Sequence, residues 1–178
     1  MKVSVYIATS LDGYIARENG GLDWLPGSDG ESGNEDLGFN TFMDSVDVVV
    51  MGRNTYEVVL ASGRWPYGSK RVVVLSSKLS KVSEELPPTV ELSSCSPAEL
   101  VGHLLESGAK HLWVDGGKTI QGFLNAGLIQ EIIVTTIPVL IGKGVPLFGP
   151  LDKDLKLQHV DTRAFANGLV QSRYAVCE

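Results

Sequence analysis

The sequence predicts an α/β domain: a mostly parallel sheet with helices packed on it and an antiparallel hairpin at the C-terminal end. Three observations predict it. Short β-branched runs at residues 3–7, 46–51 and 72–75 are almost continuously apolar and bounded by Gly, Ser or Asp, the pattern of strands buried on both faces. Helix-like segments alternate with strands, and that alternation makes neighbouring strands parallel. Near the C-terminus two alternating segments flank Asn167-Gly168, residue types that favour the positive φ angles of a type I′ turn.

The elements follow in order. After the strands at 3–7 and 46–51 comes a helix over 55–61, with Tyr56, Val59 and Leu60 at helical spacing. Beyond the strand at 72–75, Ser96-Pro97-Ala98-Glu99 reads as an N-cap with proline at the first helical position. Leu100, Val101, Leu104 and Leu105 give that helix an apolar stripe, and it should stop at Gly108. Residues 112–114 are another buried strand, 117–124 a helix ending near Gly127, and 129–137 a long strand. Residues 138–150 form a loop rich in Gly and Pro, and the hairpin strands fall at 155–162 and 169–176. Residues 26–35 hold three acids and no base among Gly, Ser and Asn, and are expected to be a mobile surface loop.

With 178 residues and no repeat or linker, one domain over 1–178 is expected. A composition 43% hydrophobic and 20% charged supports a packed core. The net charge of −6, with no run of Lys or Arg, argues against a nucleic-acid surface, so an anionic ligand needs a locally basic site. Cys95 and Cys177 have no metal-ligand or redox spacing and read as free thiols. The apolar start ends at Asp12, too soon for a signal peptide, and no stretch approaches a membrane span; a cytoplasmic protein without membrane contact is expected. His103, His111 and His159 do not gather into a site, and no metal is expected.

Three strand tips could carry chemistry. At Met51-Gly52-Arg53-Asn54-Thr55-Tyr56-Glu57 a buried strand ends at glycine and a helix begins at once, so unpaired helix amides face whatever lies beyond the strand. Arg53 adds an always-charged planar fork suited to phosphate; the same spacing also fits an ordinary turn with a surface arginine. Leu75-Ser76-Ser77-Lys78 follows the next strand and by itself is loop composition. Val114-Asp115-Gly116-Gly117-Lys118-Thr119 places two glycines between strand and helix, where a ligand can approach the backbone. Each signal is modest. Their recurrence along one sheet is what matters, because ligands of open α/β sheets bind beyond the carboxyl ends of the strands.

These motifs resemble the cofactor motifs of dihydrofolate reductases. Ser10-Leu11-Asp12-Gly13-Tyr14-Ile15-Ala16 and residues 138–148 are more similar to the reductase domain of riboflavin biosynthesis, a relative with the same fold. The resemblance runs from Val3 to Val176 and implies the dihydrofolate reductase-like three-layer α/β/α fold. It implies NADPH, with Arg53 on the 2′-phosphate, Thr55 supporting the pyrophosphate and Ser76 with Ser77 at the adenosine end. Gly116, Gly117, Lys118 and Thr119 would line the pyrophosphate, Gly52 would belong to the same cofactor site, and backbone groups of Ala8 and Ile15 would hold the nicotinamide carboxamide. Residues 138–148 resemble a segment near a dimer contact, so a homodimer is expected.

On the substrate side the resemblance implies a small heterocycle, a dihydrofolate-like pterin or a riboflavin-pathway pyrimidine. Counting back from Met51 places Asp36 where a catalytic carboxylate would stand, with Phe39 beside it; Asp is equally a favoured residue at a helix start. Trp24 and Thr135 fall where the family places pocket residues. Lys70 stands where folate enzymes carry an arginine for the glutamate tail, and lysine cannot make that bidentate clasp. Asp115 precedes Gly116-Gly117 where the riboflavin-type enzymes have an acid, which nominates it as a pocket group. No preceding deaminase domain is expected, which stands against the full riboflavin-type function, and the sequence holds no zinc motif such as His-x-Glu with Cys-x-x-Cys. The expected activity is an NADPH-dependent reductase; the alternative is an NADP(H)-binding protein without efficient catalysis.

Overall fold

The computed structural model describes residues 1–26 and 36–177, so nearly all of the acidic loop expected at 26–35 lies outside the described residues. The chain forms β1 (Lys2–Ser10), β2 (Tyr14–Ala16), α1 (Phe39–Ser45), β3 (Val48–Gly52), α2 (Arg53–Ala61), β4 (Arg71–Leu75) and β5 (Val90–Ser93). It continues with α3 (Pro97–Glu106), β6 (His111–Asp115), α4 (Gly117–Asn125), β7 (Glu131–Ile137), β8 (Val145–Pro146), β9 (Leu157–Ala164) and β10 (Val170–Val176). The main sheet runs β5-β4-β3-β6-β1-β7-β10-β9. From β5 to β7 all pairings are parallel; β10 is antiparallel to β7 and to β9. This is the expected mostly parallel sheet with an antiparallel C-terminal hairpin.

The continuous apolar runs are explained by two-sided burial. Alternate residues point to opposite faces of a strand. Val49, Met51, Val72, Val74 and Trp113 pack with Phe42 and Met43 of α1 and Tyr56 of α2. Val3, Val5, Val48, Val50, Leu112 and Val114 pack with Leu100 and Leu104 of α3 and Ile120 and Phe123 of α4. Each fully buried side chain of this kind contributes about 1.5–3 kcal/mol. The result is three layers, with α1 and α2 on one face and α3 and α4 on the other.

The start of α3 forms as its sequence predicts. The Ser96 side chain accepts from the Glu99 amide at 3.4 Å, and the Glu99 carboxylate accepts from the Ser96 amide at 2.9 Å. The C-terminal turn differs from expectation. Among the described residues only glycines have positive φ, so Asn167 does not adopt the left-handed conformation that a type I′ turn requires. Gly168 alone does, at φ 86°, and its amide donates to the Phe165 carbonyl at 3.0 Å. The buried Phe165 and Leu169, packed on Ile137, lengthen the connection so that one left-handed glycine closes it. The strand β5 carries only Val90 and Leu92 as apolar residues, too few to announce an edge strand. In the 138–148 segment Leu140 is 69% and Phe148 50% exposed.

Candidate functional site

The carboxyl ends of β1, β3, β4 and β6 open on one cleft of about 1130 Å³. All eleven residues singled out for a cofactor line it: Ala8 and Ile15, Gly52, Arg53 and Thr55, Ser76 and Ser77, and the run Gly116, Gly117, Lys118 and Thr119. Asp115 lines it too.

Two helices begin at the cleft with open N-termini. The N-caps of α2 and α4 are Gly52 and Gly116, and neither provides a side-chain cap, so their first-turn amides stay available to an anion. By contrast α3, whose Pro97 also reaches the cleft, is closed by its capping box. Arg53 and Lys78 add positive charge at one end and Lys118 at the α4 start. Arg53 pairs with Glu57, one turn along its own helix at 3.7 Å, and donates to the Asn54 side chain at 3.5 Å, exposed contacts of small energetic weight that an anion can replace. Ser76 accepts from the amides of Lys78 and Leu79 at 3.1 Å each, which shapes the turn after β4 and leaves its hydroxyl proton free to donate.

The glycines at the strand tips also serve contacts within the protein. A Cβ on Gly52 would lie 2.5 Å from the Thr119 hydroxyl, and one on Gly116, at φ 90°, would run into the Thr55 hydroxyl. On Gly117 it would lie 2.8 Å from the Pro146 carbonyl and 3.2 Å from Val145. The starts of α2 and α4 thus pack directly against each other's strand tips. The segment after β2 forms the other wall. The Arg17 guanidinium grips Asp23 through two bonds of 2.6 and 2.7 Å, and Gly20 rests close to Val58 of α2.

Asp115 is the carboxyl of the cleft whose chemistry burial alters. Burial at the tip of β6 pushes its carboxyl up to about 6, although the Gly116 amide, donating at 2.8 Å, favours the ionised form. Tyr67 was not singled out by the sequence. It is buried against Trp113, and burial together with the Asp115 charge pushes its phenol up.

The RibD C-terminal domain profile matches residues 1–171. The chain belongs to the RibD C-terminal domain family.

Other members align over nearly the whole length of this RibD C-terminal domain. The uncharacterized protein YwjB of Bacillus subtilis (strain 168) is 34% identical over 175 residues, 97% of each chain. Riboflavin biosynthesis protein RibD of Corynebacterium ammoniagenes is 25% identical over 174 residues, and the match spans 48% of that longer protein. A crystal structure from Shewanella sp. PV-4, described as a candidate riboflavin biosynthesis protein, superposes with a TM-score of 0.93 at 41% identity and full coverage of both chains. The diaminohydroxyphosphoribosylaminopyrimidine deaminase/5-amino-6-(5-phosphoribosylamino)uracil reductase of Thermotoga maritima shares the fold, with a TM-score of 0.71 at 23% identity over 56% of its chain.

The remaining residues singled out for the substrate side of this RibD C-terminal domain lie away from the cleft. Asp36 is exposed ahead of α1 and accepts from the Asn40 amide and side chain at 3.2 Å each, so it acts there as a helix-start residue. Phe39 packs on Tyr6 and Trp113, with ring centroids 5.5 and 5.6 Å away. Thr135 is buried and accepts from the Gln171 side chain at 3.0 Å. Trp24 packs in a small cluster with Ile137, Phe165 and Leu169, its indole N–H buried without a partner among the described residues. Lys70 precedes β4, at the end of the sheet opposite the cleft, and its ammonium donates to the Val46 carbonyl at 2.8 Å. Its charge closes a backbone carbonyl beyond α1, which is why it does not face a ligand in the cleft.

Proposed function

We propose that this protein is an NADPH-dependent reductase that delivers a hydride to a small nitrogen heterocycle of the riboflavin-pathway pyrimidine type. One observation carries the reading: a single cleft joins a cationic end, where two uncapped helices start, to a carboxyl that burial pushes up to about 6. Arg53, Ser76, Ser77 and Lys78 would hold the adenosine end and its 2′-phosphate; the α2 and α4 amides, Thr55, Lys118 and Thr119 would hold the pyrophosphate. Ala8 and Ile15 would seat the nicotinamide. NADPH, when bound, supplies the hydride, and the chain supplies geometry and charge. The arriving hydride leaves negative charge on the acceptor. Asp115 in its neutral form donates the proton that balances it and then takes another from solvent. The wall pinned by Arg17 and Asp23 limits the entry of water.

Family membership supports the reductase reading, as does the Thermotoga maritima relative described as a 5-amino-6-(5-phosphoribosylamino)uracil reductase. The test mixes the protein with NADPH and either that pyrimidine or dihydrofolate and follows nicotinamide absorbance. Consumption that requires the pyrimidine is expected. NADPH binding without consumption on either acceptor would replace this reading with a nucleotide-binding protein.

A further inference from the structure

We propose that Tyr6 is a specificity-determining wall of the cleft, and that its phenol ring excludes fused bicyclic acceptors. The cleft's role as the reaction site is taken from the reductase reading. Among the described residues Tyr6 alone lines both the main cleft and a second cavity of about 390 Å³ on the α1 side of the sheet. It therefore stands as the partition between them. The second cavity is within the usual volume of a small-molecule pocket, about 300–1,000 Å³, and is rimmed by Lys2, Arg163 and Arg173.

The partition is held from three sides. The Tyr6 ring stacks on Phe42 with centroids 4.8 Å apart and tilts against Phe39 at 5.5 Å. Its hydroxyl donates to the Leu37 carbonyl at 2.9 Å and accepts from the Gln171 side chain at 3.1 Å. Gln171 in turn donates to the Thr135 hydroxyl at 3.0 Å, so the wall is tied to β7 through β10. Burial pushes the Tyr6 phenol up, and the charge of Asp36 adds to that effect, so Asp36 too senses this ring. Phe39, Thr135 and Asp36 thus converge on a phenol of the protein itself. A single ring bound against the tip of β1 stays on the cleft side of Tyr6. A fused second ring directed towards Thr135 and Asp36 meets the phenol, and a steric element of this kind discriminates by repulsion.

Calorimetric titration of dihydrofolate into protein saturated with NADP+ tests the wall without any turnover. The unaltered protein, Tyr6→Ala and Tyr6→Phe are compared. Tyr6→Ala is expected to bind dihydrofolate about tenfold or more tightly than the unaltered protein. Tyr6→Phe keeps the ring and should match the unaltered protein. Equal affinity of the unaltered protein and Tyr6→Ala overturns the proposal, as does an equal gain in Tyr6→Phe. Should Tyr6→Ala fail to fold, Tyr6→Leu, which keeps an apolar contact with Phe42, decides by the same comparison. Absence of NADP+ binding in the unaltered protein would overturn the reductase reading instead, and the same titrations without nucleotide still decide the role of Tyr6.

Discussion

Replacing Asp115 by Asn removes a cleft carboxyl that burial keeps protonated to higher pH, and the cost of its charge follows from the structure. Its carboxyl rises from 3.8 to about 6 at the tip of β6. The folded protein therefore keeps a proton that the unfolded chain has already released between those values. Because the folded value is the higher, the contribution of Asp115 to stability is fully present below 3.8 and is lost as pH rises through about 6. At about 1.4 kcal/mol per pH unit the loss amounts to about 3 kcal/mol. Asn keeps an oxygen for the Gly116 amide and carries no charge. Asp115→Asn should therefore match the unaltered protein near pH 4 and exceed it by about 3 kcal/mol above pH 7. For a chain of this length that is roughly 6–12 °C in Tm. Thermal melts of both proteins from pH 4 to 8, followed by circular dichroism, read the difference directly. In the same variant kcat should fall by about a hundredfold or more, because the proton donor is gone. A stability difference that does not change between pH 4 and 8 would refute the reasoning, for it would mean that the carboxyl is not kept from water.

Arg53→Ala should weaken NADPH by roughly ten- to a hundredfold, the worth of one charge-assisted contact to phosphate, and leave NADH nearly unchanged. Fluorescence titration with both nucleotides checks this, and equal weakening would remove Arg53 from the 2′-phosphate. Gly117→Ala would press a methyl group to 2.8 Å from the Pro146 carbonyl and 3.3 Å from Ile15, so β8 must shift off the start of α4. The expected outcome is a loss of about 1–3 kcal/mol in denaturant unfolding together with weaker NADPH binding, and an unchanged midpoint would show that β8 moves freely.

Much of the fold could be read from the sequence because its strands are buried on both faces. Residues 48–51 and 72–75 have nothing polar to declare a solvent side, and that is itself the mark of a central parallel strand. The start of α3 was readable because its two capping residues, Ser96 and Glu99, act on one another within a single turn. Boundaries and edges were less readable. The strand β5 has few apolar residues, and the turn at Asn167-Gly168 took its form from the burial of Phe165 and Leu169, which no dipeptide preference records.

The cofactor side of the cleft could be inferred from the sequence for a similar reason. Gly52 ends β3, while Arg53, Ser76 and Gly116 each follow directly on a strand, and parallel strands bring their carboxyl ends to one edge whatever else the chain does. The substrate side depends on which face each side chain takes, and a register step of one residue reverses that choice. Register placed Asp115 in the cleft on the same face as Trp113, left Asp36 exposed ahead of α1, and aimed Thr135 at Gln171. The amino-acid sequence by itself determined the central strands, their burial on both faces and the strand tips that line the cleft, because those rest on composition and local spacing. Only the tertiary structure decided that Asp115 lines the cleft while Asp36 and Lys70 do not, and that Tyr6 borders both cavities, because these depend on the packing of side chains far apart in the chain.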